Sequence, residues 1–185
     1  MRIITGKARG ITLKTLAGTN TRPTADRVKE AVFSMLQFDI EGRTVLDLFA
    51  GSGQMGLEAL SRGAVKATFV DKAKDAIAIV RENAQKTKLF DSSEIIQLEY
   101  LDFLKRYSGK QYDIIFIDPP YALNMYVPAL KGLLDAEMIK PSSVIICESD
   151  KADLLEGQTE ILKKLTVEKC NKYGNTYITV LKPKV

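Results

Sequence analysis

From Thr44 onward, short apolar runs alternate with helical stretches, and that alternation leaves the chain very few possible architectures. Residues 44–49 (TVLDLF) read as a buried strand, followed by a helix over about 53–62. Residues 67–70 form a second strand, leading to an amphipathic helix near 74–86. Residues 94–98, 112–117 and 143–147 continue the series, and the fourth run, YDIIFI, is the most apolar. Repeated β–α units require parallel pairing, because each crossover has to carry the chain back over the sheet. Residues 165–169 and 176–181, around Asn171–Asn175, look like an antiparallel hairpin. The expected fold is therefore α/β, a doubly wound and mostly parallel sheet with helices on both faces.

Ahead of this core the pattern differs. Ile3-Ile4 and Ile11-Thr12-Leu13 flank the stretch between Gly6 and Gly10, which suggests a short β-hairpin or loop. Arg22-Pro23-Thr24 then leads into a helix, with Thr24 as N-cap and Asp26 in the first turn. Val28, Val32 and Met35/Leu36 form its apolar face. Residues 1–42 are expected to form a basic hairpin and helix packed on a core of residues 43–185. With 185 residues, the chain can bury one good core and is short for two.

Several function classes drop out on composition. Histidine is absent, so Ser-His-Asp hydrolysis, histidine metal sites and imidazole acid–base catalysis are excluded. Cys147 and Cys170 have no metal-ligand spacing and read as reduced thiols; no metal is expected. No run of 18 or more apolar residues exists, and the first seven residues lack a signal-like apolar core. A cytoplasmic protein without a membrane partner is expected, with a monomer as the simplest state. The net charge of +4 is unevenly spread. Arg2, Lys7, Arg9, Lys14, Arg22, Arg27 and Lys29 face one acid, Asp26, within the first 29 residues. A polyanion-facing segment explains this, and so would an ordinary solvated surface.

Asp47-Leu48-Phe49-Ala50-Gly51-Ser52-Gly53-Gln54-Met55-Gly56 joins the first core strand to its helix. Glycines there let the backbone approach a ligand at a helix N-terminus, close to the switch point of an open parallel sheet. The run also fits the dinucleotide fingerprint, with Asp71 at the end of the next strand spaced to bind ribose hydroxyls. The loop alone thus leaves NAD and S-adenosylmethionine open. Asp47, placed to meet a ligand's ammonium group, and Asp102, placed to accept from an adenine amine, favour the latter.

Asp118-Pro119-Pro120-Tyr121 follows directly on the YDIIFI strand. An exocyclic base amine is a poor nucleophile because its lone pair is delocalised into the ring. The Asp118 carboxylate and the Pro119 carbonyl can accept its two N–H bonds, aim the lone pair and stabilise developing positive charge. Pro119 and Pro120 stiffen the backbone, and Tyr121 offers a face for stacking an extruded base. This points to amino-methylation without specifying the base.

The order of motifs resembles the RsmD-type 16S rRNA (guanine-N2)-methyltransferases of bacteria, over nearly the whole chain. Its markers are Arg2-Ile3-Ile4, Gly6, Arg9-Gly10, Arg22-Pro23-Thr24, Arg27-Val28-Lys29-Glu30, the Asp47–Gly53 loop, Gly56-Leu57-Glu58-Ala59-Leu60-Ser61-Arg62-Gly63-Ala64 and the Asp118 tetrad. The resemblance implies a seven-stranded Rossmann-like sheet with an antiparallel last strand. It implies S-adenosylmethionine as cofactor and N2 methylation of one guanine in 16S rRNA, within a small-subunit particle. Asp47, Phe49, Ala50, Gly51, Ser52, Gly53, Asp71 and Lys72 would hold the cofactor, with Asp102 at its adenine. Thr24, Arg27 and Glu30 would join them at the mouth of the site, and Arg2, Lys7, Arg9, Lys14 and Arg22 would contact RNA phosphates. Gln54-Met55 departs from the smaller residues expected there. The competing readings are an adenine-N6 or cytosine-N4 methyltransferase acting on DNA or RNA, an NAD-dependent oxidoreductase, and a non-catalytic RNA-binding module.

Overall fold

The computed structural model describes residues 1–16, 23–120 and 123–184. Its elements run α1 (Pro23–Met35), β1 (Thr44–Asp47), α2 (Gln54–Ser61), β2 (Lys66–Asp71), α3 (Lys74–Lys86), β3 (Ser93–Gln97) and α4 (Tyr100–Arg106). They continue with β4 (Tyr112–Ile117), α5 (Tyr126–Asp135), β5 (Ile139–Ser149), α6 (Thr159–Lys164), β6 (Leu165–Tyr173) and β7 (Thr176–Pro183). The strands form one sheet in the order β3-β2-β1-β4-β5-β7-β6, parallel except where β7 pairs with β5 and β6. This is the doubly wound, seven-stranded Rossmann-like arrangement. Strand order reverses between β1 and β4, which opens a crevice at their carboxyl ends.

Both faces of the sheet are covered, and the strand sequences show why. In β4 every residue is buried, with Ile114 and Phe116 on one face and Ile115 and Ile117 on the other. A parallel strand flanked by helices on both sides needs such a continuous apolar run. Helices α1–α3 cover the first face and α4–α6 the second.

The N-terminal segment is built into the first of these cores. Arg2 bridges Thr12 in antiparallel fashion, and the Ile3 and Gly10 amides donate to the carbonyls of Ile11 and Ile3. Ile3, Ala8 and Leu13 are buried with Val28, Phe33 and Leu57. Gly6 has φ +88°, and a Cβ there would lie 1.9 Å from the Ser61 carbonyl oxygen, so the loop can dock on α2 only with glycine at that position.

Some expectations need correction. Helix α1 begins at Pro23, where proline suits a first turn, so Thr24 lies inside the helix instead of capping it. Strand β5 starts four residues before the expected run, and β6 continues to Tyr173 as an exposed edge strand. Lys29, counted with the surface cations, is only 1% exposed.

Candidate active site

A cavity of about 500 Å³ occupies the crevice at the carboxyl ends of β1 and β4. The glycine loop forms its floor. Gly53 adopts φ +77° at the start of α2, and its amide donates to the Ala50 carbonyl at 2.7 Å. Gly51 has φ +53°, and a Cβ there would meet no atom within 4 Å. Asp71 braces the loop, accepting from the Gly51 amide through one carboxylate oxygen and the Ala73 amide through the other, both at 2.9 Å. A carboxylate has about four acceptor positions, so Asp71 keeps capacity for a ligand hydroxyl.

Asp47, Phe49, Ala50, Gly51, Ser52, Asp71, Lys72, Asp118, Pro119 and Pro120 all line the cavity. Gly53 does not line it; it shapes the turn beneath. Asp102 is displaced. It sits on the exposed face of α4, while Leu98, Glu99 and Tyr100 reach the cavity instead. The Glu99 side chain caps α4 by accepting from the Leu101 amide at 2.7 Å. Phe49 and Tyr100 pack with ring centroids 5.0 Å apart, an aromatic wall suited to a purine. Arg27 and Glu30 are exposed on α1 and do not line the cavity. Arg22, Tyr121 and the side chain of Thr24 lie outside the described residues.

The electrostatics are those of a cation site. Asp47 is 3% exposed and accepts from the Gly56 amide at 3.1 Å. Burial pushes its carboxyl up to about 7, with a further contribution from Asp71. Asp118, at the end of β4, is pushed well above the usual carboxylate range by burial, then by the nearby charges of Glu148 and Asp47. No motif in the sequence marks Glu148. The register Ile117↔Cys147 between β4 and β5 brings it beside Asp118. A cluster of carboxylates that is buried at Asp47 and half-buried at Asp118 and Glu148 is destabilising until a positive charge enters it. It would repel a pyrophosphate, and Asp47 already takes the Gly56 amide of the glycine loop. An ammonium or sulfonium ligand fits; a dinucleotide fits poorly. Gln54 lines the same cavity, and its buried Oε1 has no hydrogen-bond partner among the described residues.

A second unanticipated residue is Asn83 of α3, which is fully buried. Its Nδ2 donates to the carbonyls of Ser52 and Lys14, both at 2.9 Å, and its Oδ1 accepts from the Lys14 amide at 2.8 Å. One side chain thus ties the glycine loop to the N-terminal segment, whose Thr15 and Leu16 also line the cavity. Asn83→Ala strands these backbone groups and is expected to lower stability by about 2–4 kcal/mol in urea unfolding. A loss below about 0.5 kcal/mol would show the clamp to be idle.

Of the expected surface cations, Arg2, Lys7, Arg9 and Lys14 are exposed, and Lys14 pairs with Glu82 at 2.7 Å. They lie on the segment that Glu58 and Ser61 of α2 hold down. Glu58 accepts from the amides of Ile4 and Thr5, and Ser61 Oγ accepts from the Ala8 amide.

The chain is similar to known proteins over nearly its whole length. Residues 1–182 match the family described as Conserved hypothetical protein 95. YlbH of Bacillus subtilis (strain 168) is 37% identical over 187 residues, covering 98% of each chain. Ribosomal RNA small subunit methyltransferase D of Haemophilus influenzae is 39% identical over 153 residues, covering 82% of this chain and 79% of that one. Among solved structures, yhhF of Escherichia coli superposes with a TM-score of 0.84 at 27% identity, covering 100% of this chain and 98% of that one. With nearly its whole length matched, the chain belongs to the Conserved hypothetical protein 95 family, the RsmD-type methyltransferases.

Proposed function

We propose that the chain transfers a methyl group from S-adenosylmethionine to the exocyclic N2 amine of a guanine in small-subunit 16S rRNA, within a ribosomal particle. The observation that carries this reading is Asp118-Pro119-Pro120 at the carboxyl end of β4, sharing one cavity with the buried Asp47 and the glycine loop. When bound, the cofactor supplies an activated methyl group on a sulfonium centre. Asp47 receives its ammonium group, Asp71 and Lys72 its ribose end, and Phe49, Leu98 and Tyr100 its adenine. Asp118 and the Pro119 carbonyl accept the two N–H bonds of the target amine, and Asp118 stabilises the positive charge that grows on that nitrogen. Proton release to Asp118 or to water completes the exchange. Arg2, Lys7 and Arg9, with Arg22, serve as phosphate contacts, so residues 1–42 act as the RNA-facing part.

The guanine-N2 choice rests on the resemblance to the RsmD-type methyltransferases, and the name of the Haemophilus relative supports only small-subunit rRNA as the substrate. The test is methyl transfer from radiolabelled S-adenosylmethionine to small-subunit particles from cells lacking the gene, followed by nucleoside analysis. Label in N2-methylguanosine is the expected result. Label in an adenine or cytosine product would keep the chemistry and overturn the base. No label, with the cofactor demonstrably bound, would overturn both.

Asp47 makes cofactor binding dependent on pH. Burial pushes its carboxyl up to about 7, and a bound ammonium favours the charged form. Affinity for S-adenosylhomocysteine, which retains that ammonium, should therefore fall as pH drops below about 7, approaching tenfold per unit. Asp47→Asn should weaken binding about 100-fold and flatten the acid limb. The stability effect has the opposite sign. A carboxyl raised from 3.8 to about 7 contributes stability below pH 3.8 that is lost as pH rises through 7. The ligand-free variant should therefore melt higher than the parent at pH 8. Titration calorimetry and thermal melts across pH 5.5–8.5 check both halves, and unaltered affinity in the variant would remove Asp47 from the ammonium site.

A further inference from the structure

The sheet edge formed by β6 and β7 carries a second concentration of positive charge. Residues 159–184 hold Lys163, Lys164, Lys169, Lys172, Lys182 and Lys184 against only Glu160 and Glu168. The stretch between residue 29 and this one is net acidic. The chain thus has two basic ends on an acidic body, and the N-terminal segment accounts for only one.

Placement gives this charge a use. β7 runs antiparallel to β5, and its first residues pair with the last of β5, Ser149↔Tyr177 and Glu148↔Ile178. The turn between β6 and β7 therefore lies at the catalytic end of the sheet, near the Glu148 row that borders Asp118. β6 is the terminal strand, and from Thr166 to Lys172 its residues are exposed. Directly opposed residues of paired strands share a face. Lys169 and Asn171, opposite Val180 and Ile178, lie on the face that carries α1, where Asn171 Nδ2 approaches Met35 Sδ at 3.9 Å. Lys172, opposite Tyr177, lies on the other face, its ammonium 5.2 Å from the Tyr177 ring centroid. Neither Lys169 nor Lys172 has a carboxylate within ion-pairing distance among the described residues, whereas Lys163 and Lys182 are paired with Glu160 and Glu168.

We propose that the β6–β7 hairpin is a second RNA-contacting element, gripping phosphates on the flank of the cavity away from the N-terminal segment. The proposal rests on the RNA methyltransferase reading above and adds where the substrate is held. The N-terminal segment is tied to α3 on the β2–β3 side, through Lys14 with Asn83 and Glu82. The hairpin stands on the β5 side. RNA held at both would span the cavity mouth, with the target base between them over Asp118. Lysines with aromatic and amide neighbours suit a backbone-tracking surface, which sets position without reading sequence.

Lys169→Ala/Lys172→Ala tests the idea, because both side chains are exposed and neither touches the cofactor cavity. The variant should keep the parent's melting temperature, its affinity for S-adenosylhomocysteine and its kcat. Its KM for small-subunit RNA substrate should rise about tenfold at moderate salt, and the slope of log affinity against log salt should shrink by about 1.5. Unchanged KM and salt slope, beside a parent enzyme that methylates RNA, would overturn the hairpin's role and leave the methyltransferase reading intact. Self-association of the variant with unchanged KM would have the same effect, since the lysines would then serve only to keep an edge strand from pairing. A parent enzyme that methylates no RNA would bring down both readings together.

Discussion

Asp118→Asn is expected to lower kcat by about 10²–10³-fold while raising the melting temperature of the ligand-free chain at pH 8. Both effects come from the same charge. Without a bound cation, burial and the neighbouring Glu148 and Asp47 hold the Asp118 carboxyl far above its ordinary value. Its stabilising contribution is complete only below the unfolded value near 4 and is lost as pH climbs through the raised value. The amide of asparagine carries no such penalty. A gain of about 1–2 kcal/mol, or about 3–6 °C, is the expected scale. In catalysis the balance reverses. The amide oxygen can still accept one N–H of the target amine, but it supplies no negative charge for the nitrogen as it becomes positive. The parent should also lose rate on the acid side, with a midpoint above the usual carboxylate range, because protonated Asp118 is no better an acceptor than the amide. With the cofactor saturating at every pH, so that Asp47 no longer limits binding, the variant's profile should be flat there. Single-turnover methyl transfer and thermal melts at several pH values check this. A variant with more than half the parent rate would remove Asp118 from the reacting amine.

Much of this site was legible in the sequence, and the parts that were not share a cause. The glycine loop and the Asp118 tetrad each occupy consecutive residues, so their chemistry survives without any knowledge of packing. The YDIIFI run shows its double burial directly, and α3 follows its amphipathic period over Lys74–Lys86. Asp102 lies outside the cavity because distance from a strand end does not fix helical phase. Two residues past Tyr100, the chain has turned to the outside of α4. Helices α4 and α6, of seven and six residues, are too short to display a period. Glu148 reads as an ordinary acid after a strand until the β4–β5 register sets it beside Asp118. Asn83 and Glu58 bind partners 31 to 69 residues away. Sequence spacing carries no signal for contacts of that kind.

Glu58 shows how much such a contact can hold. In the sequence it is one letter in the Gly56–Ala64 run; in the fold that run is the dock for the N-terminal segment. Glu58 is fully buried, accepting from the Ile4 amide at 2.8 Å, the Thr5 amide at 3.0 Å and Arg62 Nε at 2.8 Å. Lys29 Nζ lies 3.6 Å from it and donates to the Arg2 carbonyl. Burial pulls the Lys29 ammonium below its ordinary range, and the Glu58 charge opposes that pull. Glu58→Ala removes the counter-charge, leaves two amides without an acceptor and opens a void. A loss of about 3–5 kcal/mol is expected in urea unfolding. Because the orphaned ammonium causes much of the damage, Lys29→Met in the same background should recover a measurable part of the loss, although Lys29→Met alone should destabilise the parent. Function should divide along the same line. The proposed cofactor contacts, Asp47, Phe49, the glycine loop, Asp71, Lys72, Leu98 and Tyr100, all lie outside the segment that Glu58 anchors, so S-adenosylhomocysteine affinity at low temperature should change little in Glu58→Ala. RNA methylation should fall sharply, because Arg2, Lys7 and Arg9 lose the anchor that fixes their positions. If the double variant is no more stable than Glu58→Ala, the buried ammonium is not what Glu58 neutralises. The network would then act only through its backbone hydrogen bonds.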